Sequence, residues 1–117
     1  MVKEIAYEAF YNCQNRANIT RIIIPNTIEK IGYSAFYNCT SLESIVIPES
    51  VTAIAYYAFY NCYSLESITF EDTANWYVTS TESYWQYKIN GSTINVSTPS
   101  SNAYNFTTSY GYYWYKN

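Results

Sequence analysis

The sequence predicts a mainly β repeat solenoid, built from short parallel strands with irregular or 3-10 convex turns and finished by an α+β C-terminal cap. Three observations predict it. First, the stretch Ile31-Gly-Tyr-Ser-Ala-Phe-Tyr-Asn-Cys-Thr-Ser-Leu-Glu-Ser-Ile-Val-Ile-Pro48 is written again from Ile54 to Phe70, with Phe36 returning as Phe59, Cys39 as Cys62 and Ile45 as Ile68, a period of 23 residues. Self-similarity at a fixed period of this size marks stacked units, none of which buries its apolar face alone. Second, every copy carries a short β-branched run in which alternate side chains face opposite ways. Third, the pattern stops at Glu71, and the remainder of the chain is rich in Ser, Thr, Asn and Tyr, as expected of a segment that covers a last coil. The division is therefore residues 1–72 for the repeats and 73–117 for an aromatic-rich capping region.

In chain order, an imperfect copy comes first, with Ala9, Phe10, Tyr11, Asn12 and Cys13 followed by Ile19, Ile22, Ile24 and Pro25. Six positions separate Cys13 from Ile19, where three separate Cys39 from Leu42. The strand candidates are residues 20–25, 43–48 and 66–70, and proline, which cannot donate to a ladder, ends the first two. Alternation sends Ile22, Ile24, Ile45, Ile47, Ile68 and Phe70 inward, and Arg21, Ile23, Ser44, Val46, Ser67 and Thr69 outward. Ile28, Val51, Ile31 and Ile54 return to the core. The Ala-Phe-Tyr-Asn-Cys turns stack Phe10, Phe36 and Phe59 into a spine, with Asn12, Asn38 and Asn61 placed to bond the turn backbone.

Past the repeats, residues 76–79 read as a strand continuing the stack. Residues 85–89 and 92–96 read as a hairpin around Asn90-Gly91, a pair that favours a two-residue turn. Thr98-Pro99 reads as a helix start, Ala103, Phe106 and Tyr110 recur at helical spacing, and Gly111 is the stop. Residues 112–115 read as a last extended segment.

Composition excludes several functions. Six basic against nine acidic residues give a net charge of −3 without a basic cluster, so no nucleic-acid partner is expected. No apolar window reaches the roughly 18 residues of a membrane span, and no signal-peptide run precedes the repeats, so the chain reads either as cytosolic or as a mature or trimmed piece. Trimming inside a longer array is the favoured expectation, because the first repeat lacks the strand that should precede Ile5. There is no His, no phosphate-binding glycine loop and no nucleophile elbow, so neither enzyme chemistry nor a cofactor is expected. Cys13, Cys39 and Cys62 share one repeat position, and stacked equivalents point their Cβ atoms in parallel. A buried, reduced thiol ladder is the leading expectation, with one disulfide or a metal site as alternatives. Glu43 and Glu66 read as a solvated column.

The feature with functional leverage is the aromatic surplus, 21% of residues with 16 Tyr. Tyr11, Tyr37 and Tyr60 form one column and Tyr7, Tyr33 and Tyr56 another. Such rings suit protein interfaces and sugars, although they also serve simply to shield a thin coil. Tyr11, Tyr37, Tyr60 and Trp85 are the candidate binding residues.

The pattern Ile-x-x-x-Ala-Phe-x-x-Cys-x-x-Leu-x-x-Ile-x-Ile-Pro-x-x-Val resembles the BspA-type, or treponemal-type, leucine-rich repeat of bacterial surface proteins over residues 5–72. Thr27 and Ser50 stand where commoner leucine-rich repeats place Asn or Cys, as this subtype does. The resemblance implies no catalytic residues. It implies a cell-surface or secreted interaction or adhesion module with a protein or extracellular-matrix ligand. A carbohydrate-binding module using the C-terminal Trp and Tyr, and a purely structural cap of a longer array, are the competing readings. An open N-terminal edge at residues 20–25 adds the expectation of self-association, or of upstream repeats in a parent protein holding that edge.

Overall fold

The β-branched runs pair where the repeat period puts them. The structure, a computed structural model, describes residues 3–6, 9, 19–108 and 112–117. Its elements run β1 (Glu4–Ile5), β2 (Arg21–Ile22), β3 (Lys30–Ile31), β4 (Ser44–Ile47), β5 (Ala53–Ile54), β6 (Ser67–Phe70), β7 (Trp76–Thr79), α1 (Glu82–Tyr87), β8 (Ser92–Thr93), α2 (Pro99–Thr108) and β9 (Tyr113–Lys116). Strands β2, β4 and β6 form a parallel sheet in that order, with Ile22 opposite Ile45 and Ile45 opposite Ile68. Equivalent residues meet because one coil of the chain consumes one repeat.

A second parallel ladder lies on the other side of each coil. It joins β1, β3 and β5 with Ile5, Ile31 and Ile54 in register. The sequence places Ile31 and Ile54 inward, and both are fully buried. Two-residue strands are too short for alternation to announce them. Between the ladders, Ile24, Ile28, Leu42, Ile45, Ile47, Val51, Leu65 and Ile68 fill the core, each contributing about 1.5–3 kcal/mol by leaving water. Phe36 and Phe59 stack at 5.2 Å and 6° with no exposed surface. Phe10, the third expected member of that spine, lies outside the described residues.

The outer turns are made of successive i→i−3 bonds, Ala35 N–H to Gly32, Tyr37 to Ser34 and Cys39 to Phe36, echoed by Tyr60 to Tyr57 and Cys62 to Phe59. Left-handed residues punctuate them at equivalent places, Ser34 with Tyr57 (φ 53° and 63°) and Asn38 with Asn61 (φ 60° and 62°). Asn tolerates this region, which accounts for the repeated asparagine. The turns also bond to one another, since the N–H groups of Phe36 and Asn38 donate to Ala58 and Tyr60, both at 2.8 Å. At the inner corner the Ser50 hydroxyl donates to the Ile28 carbonyl at 2.6 Å, so the hydroxyl at this subtype's position ties one coil to the next.

The cysteines depart from the expected ladder. Cys39 is disulfide-bonded, with its partner outside the described residues, and Cys62 is the free thiol among those described. The expectation assumed three equivalent positions, and the longer Cys13 to Ile19 spacing already breaks that equivalence in sequence. Cys62 donates to the Phe36 carbonyl at 3.1 Å, and burial pushes its thiol up to about 12.

Two expectations for the C-terminal segment are corrected. Strand β7 does not continue either parallel stack; it runs antiparallel to β9, which itself pairs antiparallel with β5, so the larger sheet is ordered β1-β3-β5-β9-β7-β8. No hairpin spans residues 85–96. Residues Glu82–Tyr87 are helical, ended by left-handed Lys88, whose N–H and that of Ile89 return to Trp85 and Tyr84 as in a Schellman motif. Ser92 and Thr93 pair with β7 instead. Tertiary contacts override the Asn-Gly signal: Gly91 does not have positive φ, and its bare α-carbon lies against Tyr115, where a Cβ would sit 2.5 Å from the ring hydroxyl. Its N–H donates to that hydroxyl at 2.9 Å.

The expected helix is present as α2, with Pro99 first and the Asn102 N–H bonded to the Thr98 carbonyl at 3.0 Å. Its Ala103 and Phe106 are buried, while Tyr110 and Gly111 lie outside the described residues. The expected extended segment is β9, whose alternation sends Trp114 into the main core and Tyr113 and Tyr115 to the other face.

Candidate functional site

Repetition places like side chains above one another, and on the turn side of the coils those side chains are tyrosines. Tyr37 and Tyr60, from one predicted column, are half-buried with rings 5.1 Å apart. Tyr33 and Tyr56, from the other, meet edge to face at 5.2 Å. Tyr11 and Tyr7, the first members of each, lie outside the described residues.

The two columns are joined by a residue that sequence reading did not single out. Tyr57 packs 4.5 Å from Tyr56 and 5.3 Å from Tyr60, completing a belt of ring contacts from Tyr37 through Tyr60, Tyr57 and Tyr56 to Tyr33. It does so from a left-handed backbone that a bulky side chain enters at a cost of about 1–2 kcal/mol, where the preceding copy has Ser34. The signal was the exchange of Ser for Tyr within an otherwise faithful copy. Its cause is visible only in the backbone.

Trp85 lies at the far end of the belt, 6.0 Å from Tyr33 and 5.0 Å from Tyr113, but as an interior residue with 4% of its surface exposed. Its indole N–H donates to the Trp114 carbonyl at 3.0 Å, and the Lys30 ammonium sits over its ring at 4.7 Å. A depression of about 200 Å³, lined by Lys30, Ala53, Trp85, Gln86 and Lys88, borders it. Tyr33 donates to Glu82 at 2.8 Å, fastening α1 to the belt. Burial, then bonds to Tyr113 and Glu82, holds the Tyr33 phenol well above its ordinary range, and burial raises Tyr113 too, so both stay neutral at physiological pH.

A second surface is the outward face of the β2-β4-β6 sheet. Ile23 is 82% exposed and Val46 45%, beside a groove of about 670 Å³ bounded by Arg21, Pro25, Ser44, Pro48 and Glu71. Among the described residues no cluster of three or more His, Cys, Asp or Glu could hold a metal ion, and no helix is long and apolar enough to cross a membrane.

The family model for the BspA-type leucine-rich repeat region matches residues 3–110 in six copies. The chain belongs to this family. Among solved structures, the crystal structure of the T. pallidum leucine-rich repeat protein matches with 35% identity and a TM-score of 0.57, over 63% of this chain and 33% of that one. The chain thus spans about a third of that protein's length. No curated protein matches it. The stacked strands and small sheets are therefore a leucine-rich-repeat fold of the BspA type. Membership points to a protein-interaction module, and repeats of this type are typical of surface or secreted proteins.

Proposed function

We propose that the chain is a non-catalytic interaction or adhesion module of a cell-surface or secreted protein, and that it holds a protein or extracellular-matrix ligand against the tyrosine belt. The observation that carries this reading is the continuity of the belt, in which strained Tyr57 links Tyr37 and Tyr60 to Tyr56 and Tyr33. Rigid, half-buried tyrosines bring large contact area at little cost in side-chain entropy, the composition of interface hot spots. Residues 1–72 act as a solenoid and 73–117 as its cap. A glycan at Trp85 is less well supported, because its ring is buried and its N–H already engaged.

The test is the double variant Tyr37→Ser/Tyr60→Ser, with Tyr57→Asn as a milder companion. Loss of about tenfold or more in binding to immobilised matrix proteins, with unchanged melting, supports the belt. Full retention by all three substitutions together removes it. Binding on a glycan array that is lost in Gln86→Ala and kept in the tyrosine variants would favour the sugar reading.

A further inference from the structure

The two ends of the coil stack are finished differently. At the C-terminal end both ladders are occupied: β9 pairs with β5, and Asn102 donates to the outward-facing Ile68 carbonyl of β6 at 2.8 Å. At the other end, among the described residues, neither β1 nor β2 has an outer neighbour. In a parallel ladder alternate residues address alternate neighbours. The Ser44 N–H reaches the Thr20 carbonyl at 3.4 Å, so Thr20 and Ile22 face β4, and the N–H and C=O of Arg21 and Ile23 point to the open edge. By the same rule the Lys3 and Ile5 carbonyls, which accept from Glu29 at 2.6 Å and Gly32 at 2.7 Å, turn the backbone of Glu4 outward.

An apolar groove of about 390 Å³ lies between these edges, lined by Ile5, Ala6, Ile22, Ile24 and Ile28. Ile23 stands exposed beside it. We propose that this face docks a second copy of the same chain, edge to edge, as a closed two-fold dimer in which β2 pairs antiparallel with its mate. Head-to-tail growth is blocked, because the complementary end of each copy is already taken by β9 and Asn102. The charges suit a two-fold contact. Lys3 adjoins Glu4 on the exposed edge, each backed by an opposite charge on β3 or just before it, Lys3 with Glu29 at 3.8 Å and Glu4 with Lys30 at 3.9 Å. A reversed copy sets lysine against glutamate, whereas a single-sign edge would repel its mate.

The dimer stands independently of the ligand assigned to the tyrosine belt. Sedimentation equilibrium of the 117-residue chain should show a mass twice 13.6 kDa at high concentration, falling to one chain on dilution. Ile23→Pro deletes an N–H that points outward and, among the described residues, no internal bond, so it should raise the dissociation constant about tenfold or more while the dilute monomer melts as before. Ile23→Lys, at a site already exposed, should act likewise by placing like charges near the axis. Hydrogen exchange at the Arg21 and Ile23 amides should slow as the dimer forms. A monomer at every concentration, assemblies that grow beyond two, or a dimer indifferent to both variants each overturns the proposal. So does a monomer whose Ile23 amide is protected only by an added extended peptide, which would assign the edge to a partner's strand.

Discussion

The coils and the C-terminal segment solve one problem in opposite ways. In the coils backbone groups meet their equivalents one repeat away, as when Glu66 N–H donates to the Glu43 carbonyl at 2.8 Å and Glu43 N–H to Thr20 at 2.9 Å. After Phe70 no further strand joins the β2-β4-β6 ladder among the described residues, and side chains take a larger share. The Asn102 amide reaches the Ile68 and Val96 carbonyls at 2.8 and 2.7 Å, the Trp76 and Trp85 indoles reach Asp72 and Trp114, and Lys116 pairs with Asp72. Repetition spreads its bonds over interchangeable residues, whereas termination concentrates them in a few that have no understudy.

Substitutions on either side of this divide sharpen it, and the largest effect falls in the coils. Phe36→Ala removes a fully enclosed ring from the Phe59 stack and should cost about 3–5 kcal/mol, enough to unfold most of the population of a domain this small. A thermal melt that does not move would take Phe36 out of the core. The next effect belongs to the C-terminal segment. Asn102→Ala leaves two buried carbonyls without their donor, yet it also removes the Asn102 Oδ1, which has no partner of its own, so a net loss of about 1–3 kcal/mol is expected in urea titrations. Asn102→Asp should be worse than Ala, because a carboxylate oxygen would then face both carbonyls. The reverse order would show that Asn102 acts by shape and not by donation.

The smallest effect is with pH. The Cys62 thiol is raised from 9.0 to about 12 in the folded chain, so its contribution is whole below pH 9 and is lost as pH climbs toward 12. Tyr33 and Tyr113, raised in the same direction, act with the same sign above their ordinary 10.0. The urea midpoint should therefore hold from pH 7 to 9 and fall beyond it, less steeply in Cys62→Ala. A midpoint that rises above pH 9 contradicts the assigned burial.

Legibility in the sequence tracks the same divide. The register of Ile22, Ile45 and Ile68 and the stack of Phe36 on Phe59 could be read because repetition multiplies a weak local signal until period alone fixes the neighbours. The path of residues 82–93 could not. Asn90-Gly91 carries a strong hairpin signal, but the segment is placed by tertiary contacts, Trp85 buried against β9, Glu82 held by Tyr33 and the Tyr115 ring on Gly91. Such contacts have no echo elsewhere in the chain from which to infer them. For the candidate site, the tyrosine columns were legible, the link through Tyr57 was hidden in a backbone conformation, and Trp85 was misplaced because an aromatic residue in a polar segment looks the same whether it faces solvent or core.

The bond from Asn102 to Ile68 also bears on how such a protein lengthens over evolutionary time. Asn102 does not read the identity of the strand beneath it; it reads a carbonyl at a position that every copy presents, Ile45 in one coil and Ile68 in the next. A tandem duplication of one period, inserted before Glu71, would leave the new last strand offering the same acceptor in the same place. Whole coils can on this geometry be gained or lost in single recombination events while the segment that carries Asn102 is inherited unchanged. Length becomes a neutral variable, free to drift until some ligand selects for it.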